Sequence, residues 1–174
     1  PVVSVVGSDA DAPPGAGIYV GTEAVLHRVR SADVVAFLEF DSEMLAPRFR
    51  ASEQALALIV RAGRIAPEVL IQTFTPDHEV IIAAANGDPA GILDGERARR
   101  GLLGLPPYGA LAVVSGVGAG EVVAQLPPDV EVGGDGADRF LVRAADWVTL
   151  GTALNGTERP AGSRIRVEVD PARI

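Results

Sequence analysis

Arg61 and Arg64, in the run Arg61-Ala62-Gly63-Arg64, could act as arginine fingers. Guanidinium groups at such a place can stabilise charge on a transferring phosphate. Arginines near a helix end also favour the negative terminus of the helix dipole, which makes a solvated helix end the plainer reading. A second group is Arg97, Arg99 and Arg100, with Tyr108 following. Arginines beside an aromatic ring suit a DNA strand or fork, through phosphate pairing and base stacking; the plainer reading is a solvated helix face. Asp41 and Glu43 stand just after a strand, where sites of α/β folds often lie. Without a histidine or a third ligand they read as a surface loop, and no metal site is expected. His27 reads as an exposed loop residue, and His78 as part of a helix first turn. Gly116, Gly118 and Gly120 lie between a strand and a helix, as a phosphate loop would. They lack the full G-x-G-x-x-G spacing and the later acidic residue, so they read as a flexible turn. Trp147 could stack on a base, but reads first as a core residue.

Several chemistries are excluded outright. The 174 residues contain no cysteine, so there is no disulfide, thiol nucleophile or cysteine zinc cluster. Two histidines are too few for a histidine-rich metal site. All 15 basic residues are arginine, so the chain holds no lysine for a phosphate-binding P-loop. A complete nucleotide site would need sequence from elsewhere. The net charge of −8 opposes broad adhesion to nucleic acid, which depends on neutralising phosphates. No apolar run approaches the roughly 18 residues of a membrane span. The opening Pro1–Asp9 does not read as a signal peptide, and a cytoplasmic location is expected. The chain starts in an apolar run without methionine, which points to a piece cut at a domain edge.

These residues need elements to hold them. Pro1–Val6, Gly17–Thr22, Val34–Phe40 and Glu68–Phe74 read as strands. Their near-continuous apolar content suits a parallel sheet covered on both faces. Ser8–Gly17 reads as a turn-rich loop. The spacing of Leu56, Ile59 and Val60 predicts a helix over 48–64, ended by Pro67. Thr75 is expected to cap a helix that runs to about Ala85 and stops at Asn86-Gly87. A further helix is expected over 88–103, with Arg97, Arg99 and Arg100 on its polar side. Leu105-Pro106-Pro107-Tyr108 breaks the pattern. Beyond it the expected order is strand 110–115, helix 120–126, strands 130–132 and 139–143 around the turn Gly133–Asp138, helix 146–154, and strand 164–169 with strict alternation. That β-α-β-β-α-β order matches the split βαβ, ferredoxin-like arrangement.

Four blocks together resemble the PriA family of primosomal helicases and span most of the chain. Gly21-Thr22-Glu23 is similar to that family's GTQM, although Leu26-His27-Arg28-Val29 lacks the lysine and glycine that follow there. Phe40-Asp41-Ser42-Glu43 through Phe49-Arg50-Ala51-Ser52-Glu53 resembles D-x-D…DFRAxER. Arg61-Ala62-Gly63-Arg64 resembles the end of QVAGRAGR, with Ala57 and Val60 where glutamine and glycine are expected. In the tail, Leu105-Pro106-Pro107-Tyr108 and Val167-Glu168-Val169-Asp170-Pro171 are similar to the LPPW/Y and V-D-V-D-P that open and close the family's C-terminal domain. The family's cysteine-rich zinc module and first motor lobe have no counterpart here, as in degenerate high-GC bacterial forms.

The resemblance implies an α/β chain: a helicase-type, RecA-like second lobe over 1–104, then a small ferredoxin-like α+β domain over 105–174. It implies a fragment of a replication restart protein that binds branched DNA at stalled forks. It also implies single-stranded-DNA-binding protein and primosome proteins as partners, and no membrane. The family is an ATP- and Mg-dependent 3'-5' DNA helicase. Its motor positions fall on Gly21, Thr22, Arg61 and Arg64, and this fragment is not expected to hydrolyse ATP or hold a cofactor. The DNA-binding residues expected are Arg97, Arg99, Arg100 and Tyr108. The alternative is a non-catalytic protein-interaction module with no DNA binding. A doubly wound small-molecule enzyme has no paired catalytic constellation behind it.

Overall fold

A computed structural model describes residues 3–6, 17–134 and 138–171. The chain is mixed α/β and divides into two compact units, Pro1–Ile92 and Leu93–Ile174. The division falls near the start of helix α5 (Ala90–Leu103), whereas the boundary expected from sequence, 104/105, falls just past its end. Most of the loop expected at Ser8–Gly17, and part of the turn at Gly133–Asp138, lie outside the described residues.

In the first unit, β1 (Val3–Val6) pairs in parallel with β2 (Ile18–Gly21), and β3 (Val34–Phe37) with β4 (Glu68–Ile71). Among the described residues the pairs are separate two-stranded sheets rather than the expected single parallel sheet. The apolar runs suggested strands buried on both faces. Instead Ile18, Val20, Val34 and Leu70 are 43–51% exposed, and one side of these strands meets solvent. The core lies among short α2 (Asp41–Met44), α3 (Ala51–Ile65) and α4 (Glu79–Asn86). It gathers Phe40, Met44, Ala55, Val80, Ala83 and Ile92, with the Phe37 and Phe40 rings tilted at 4.9 Å. The small Ala55 on α3 lets α4 approach closely: it is completely buried in the same cluster as Val80 and Ala83.

α3 begins three residues later than the sequence suggests, because Arg48 is drawn into a turn by Glu43 at 2.9 Å and Gln54 at 3.1 Å. α4 is capped by His78, whose Nδ1 accepts from the Val80 amide at 3.3 Å. Thr75 does not cap it, since the Thr75 hydroxyl is committed to Asp41. The helix stops as expected at Gly87, whose φ of 65° is left-handed.

The second unit has the order β5 (Ala110–Val117), α6 (Ala119–Val123), β6 (Glu131–Gly134), β7 (Arg139–Ala144), α7 (Trp147–Asn155), β8 (Arg164–Val169). The sheet order is β6-β7-β5-β8 and every pairing is antiparallel. Alternation sends Ala110, Ala112 and Val114 of β5 toward the core that also holds Val122, Val142 and Leu150. Leu111 and Val113 face the other way and are buried too, so β5 is covered on both faces along its first half. α7 is capped by Asp146, which accepts from the Thr149 amide at 2.7 Å.

Candidate functional site

α5 carries the expected basic group, and its geometry starts from Glu96. This carboxylate is almost buried, three and four residues before Arg99 and Arg100, the spacing at which helix side chains meet. It accepts from Arg99 Nη2 through Oε1 and from Arg100 Nε at 3.2 Å through Oε2. Arg100 is itself buried, and its Nη1 reaches the Pro106 carbonyl at 3.4 Å. The Leu105 amide donates to the Arg100 carbonyl at 2.9 Å, and the Tyr108 amide to the Leu105 carbonyl at 2.9 Å. Arg100 therefore fastens the Leu105–Tyr108 turn to α5. It does not lie on a polar side with Arg97 and Arg99, because a guanidinium already engaged by Glu96 and Pro106 closes this turn. Arg97 is 70% exposed, with Asp94 3.5 Å away. Arg99 is half-exposed, and Tyr108 is half-exposed with its ring over Gly101. The structure thus brings Arg97, Arg99 and Tyr108 to the surface and withdraws Arg100.

The second candidate region lies where β3 and β4 end, the edge at which ligands approach parallel sheets. Asp41 opens α2 and accepts three hydrogen bonds from the chain after β4. Thr73 Oγ1 donates at 2.6 Å, Thr75 Oγ1 at 2.8 Å and the Phe74 amide at 2.9 Å. The Thr73 bond, then the Phe74 and Thr75 bonds, hold the Asp41 carboxyl below the ordinary carboxylate range. Glu43 is engaged by Arg48. The two carboxylates thus hold loops in place, and they belong to α2 rather than a surface loop. Among the described residues no group of three or more acidic or histidine side chains could hold a metal ion. The clasp fixes the backbone at Phe74 while leaving its ring 89% exposed.

The remaining candidates are scattered. Arg61 Nε donates to the Leu26 carbonyl at 2.9 Å, tying α3 to the short helix α1 (Val25–Arg28). Arg64 is exposed near the end of α3, and Gly21 and Thr22 are exposed where β2 ends. The Thr22 carbonyl accepts from the Val25 amide at 3.0 Å, which starts α1. His27 is exposed in the last turn of that helix rather than in a loop. Gly116 and Gly118 have φ of 101° and 93°. A Cβ on Gly116 would lie 2.1 Å from the Arg164 carbonyl oxygen, so this glycine marks a tight approach of β8 rather than a flexible turn. Trp147 is 40% exposed at the start of α7 and is not a core residue.

Comparison with known proteins gives these residues a context. The chain is 35% identical over 101 residues to the replication restart protein PriA of Chlamydia pneumoniae, covering 53% of this chain and 14% of that protein. It is 31% identical over 114 residues to PriA of Synechocystis sp. and 30% over 105 residues to PriA of Thermotoga maritima. These matches cover 61% and 56% of this chain and 14% of each relative. The chain is PriA-like. It matches only 14% of the length of these PriA proteins. No protein-family model matches it. Of the positions that resemble PriA motor motifs, Arg61 is engaged within its own fold. The chain contains no lysine. Glu96 was not among the sequence candidates; Asp41 was, but not its bonds to Thr73, Phe74 and Thr75. Glu96 was discoverable from its spacing to Arg99 and Arg100. The bonds from Thr73 and Thr75 to Asp41 span more than thirty residues and carry no local signal.

Proposed function

We propose that the chain is a non-catalytic, branched-DNA-binding portion of a PriA-like replication restart protein. The observation that carries this reading is the similarity to PriA proteins of three bacteria. The β-α-β-β-α-β order with its β6-β7-β5-β8 sheet supports a ferredoxin-like second domain beginning near 105, with residues 1–104 derived from a RecA-like second motor lobe. Arg97, Arg99 and Tyr108 supply phosphate and stacking contacts, and Arg100 holds the turn that presents Tyr108. ATP and Mg serve the family's motor, and this chain neither hydrolyses ATP nor holds a cofactor. Its partners are forked DNA, single-stranded-DNA-binding protein and primosome proteins, in the cytoplasm. Among the described residues no helix is long and apolar enough to cross a membrane.

The test is binding of a labelled three-way fork and of plain duplex across a salt series. Fork-selective binding with a negative log–log salt slope is expected. Absence of fork binding at low salt would favour the second reading, a protein-interaction module. The specific observation behind that alternative is the pairing of the α5 arginines with Asp94 and Glu96, in a chain of net charge −8.

A further inference from the structure

The net charge is unevenly divided. The first unit carries six arginines against twelve carboxylates, the second nine against eleven, so most of the negative charge belongs to the first. Within the second unit the register sorts the charges again. Phe140 of β7 and Ile165 of β8 pack on the helix-covered core, so alternation turns Arg139, Arg164 and Arg166 to the opposite face of the sheet. Ser115 of β5 is the partner of Arg139 on one side and of Arg166 on the other. The three strands thus present an arginine, a serine and an arginine at one level, with Arg164 two residues along β8. All three arginines are exposed. Arg166 has one acidic neighbour, Glu168 at 3.2 Å, and Arg139 and Arg164 make no ion pair among the described residues. Glu121, Asp129, Asp146 and Glu158 belong to the helical layer or its loops, while Glu131 of β6 shares the arginine face and lies 3.8 Å from Arg143, toward its other end. Leu111 and Val113 are covered at the other end of this face, while Val117 is open.

We propose that this open end of the sheet, Arg139, Arg164 and Arg166 around Ser115, is a phosphate-backbone binding surface for nucleic acid. The inference rests on the DNA-binding reading above and assigns it a different surface from α5. Strand spacing places Arg139 and Arg166 about 10 Å apart across β5, and Arg164 about 7 Å from Arg166. That separation suits charges repeated along a polymer better than one small anion. The exposed Arg166–Glu168 pair is weak enough to be exchanged for phosphate. The small Ser115 between the arginines leaves a backbone room to approach.

The test compares the full chain with Arg139→Gln/Arg164→Gln/Arg166→Gln and with a charge-preserving triple lysine variant, on labelled fork DNA across a salt series. The glutamine variant is expected to bind about tenfold or more weakly and to lose about 2 to 3 from the log–log salt slope, while the lysine variant keeps the slope. Circular dichroism and melting of both variants separate lost contacts from lost folding. Wild-type binding with unchanged affinity and slope in the folded glutamine variant overturns this surface and leaves the DNA reading standing. No binding by the wild type overturns both. Polyglutamate that competes as well as DNA, with the same dependence on the three arginines, overturns the nucleic-acid assignment in favour of an acidic protein segment.

Discussion

Arg100 and Arg97 stand three residues apart on α5 and serve different ends. Arg100 is buried between Glu96 and the Pro106 carbonyl, and its removal leaves a nearly buried carboxylate with one arginine fewer. Arg100→Gln is expected to cost about 3 kcal/mol in chemical denaturation, the usual scale for breaking one side of a buried pair. Arg97 holds an exposed pair at 3.5 Å, so Arg97→Gln should stay within about 0.5 kcal/mol of wild type. Its effect should appear in fork binding, as a salt slope smaller by about 1. Asp41 has a pH signature. Its carboxyl titrates below 3.8 in the folded chain because Thr73, Phe74 and Thr75 donate to the charged form. Its contribution to stability is therefore fully present above the unfolded pKa and is lost as pH falls through the lower folded value. Melting temperature should fall more steeply on acidification below about pH 4 in wild type than in Asp41→Asn. Equal slopes would sink this account of the clasp.

At the scale of elements, Gly116 has both a left-handed φ and no room for a side chain. Gly116→Ala would push β8 away from β5, and a cost of about 2–3 kcal/mol is expected, with amide exchange accelerating along Arg164–Val169. The position shows what a sequence yields and what it withholds. The strict alternation of Arg164–Val169 is visible without coordinates, as is the stop at Asn86-Gly87, because both depend on neighbours a few residues away. A glycine run beside a strand looks the same whether it is loose or pinned against another strand nearly fifty residues later. The helix start at His78 was hidden for the same reason: Thr75 is a good local cap, but the remote Asp41 takes its hydroxyl. The apolar runs of the first unit identified strands correctly, while how many join into one sheet depends on surfaces outside those runs. At the candidate site, arginine types were legible; which of them point outward depended on Glu96.

For the molecule as a whole, two separate cores hold the chain. Leu150 is fully buried in the second, and Leu150→Ala is expected to cost about 2–5 kcal/mol, read by hydrogen exchange as lost protection around Val114 and Val142. Loss of protection around Phe40 and Val80 to the same degree would mean that the two cores melt as one. On the non-catalytic reading, in a chain that holds no lysine, ATP with Mg is expected to leave the melting temperature unchanged; a rise of several degrees would restore nucleotide binding to the chain. The two-stranded parallel pairs of the first unit carry a further consequence. A sheet of two strands is made entirely of edge strands, and here the exposed side chains beside those edges include Ile18, Val20, Val34 and Leu70. Such edges template the addition of strands from other copies. At high concentration the protein should self-associate, and light scattering should grow with concentration and shrink when Val20 or Leu70 is replaced by a charged residue.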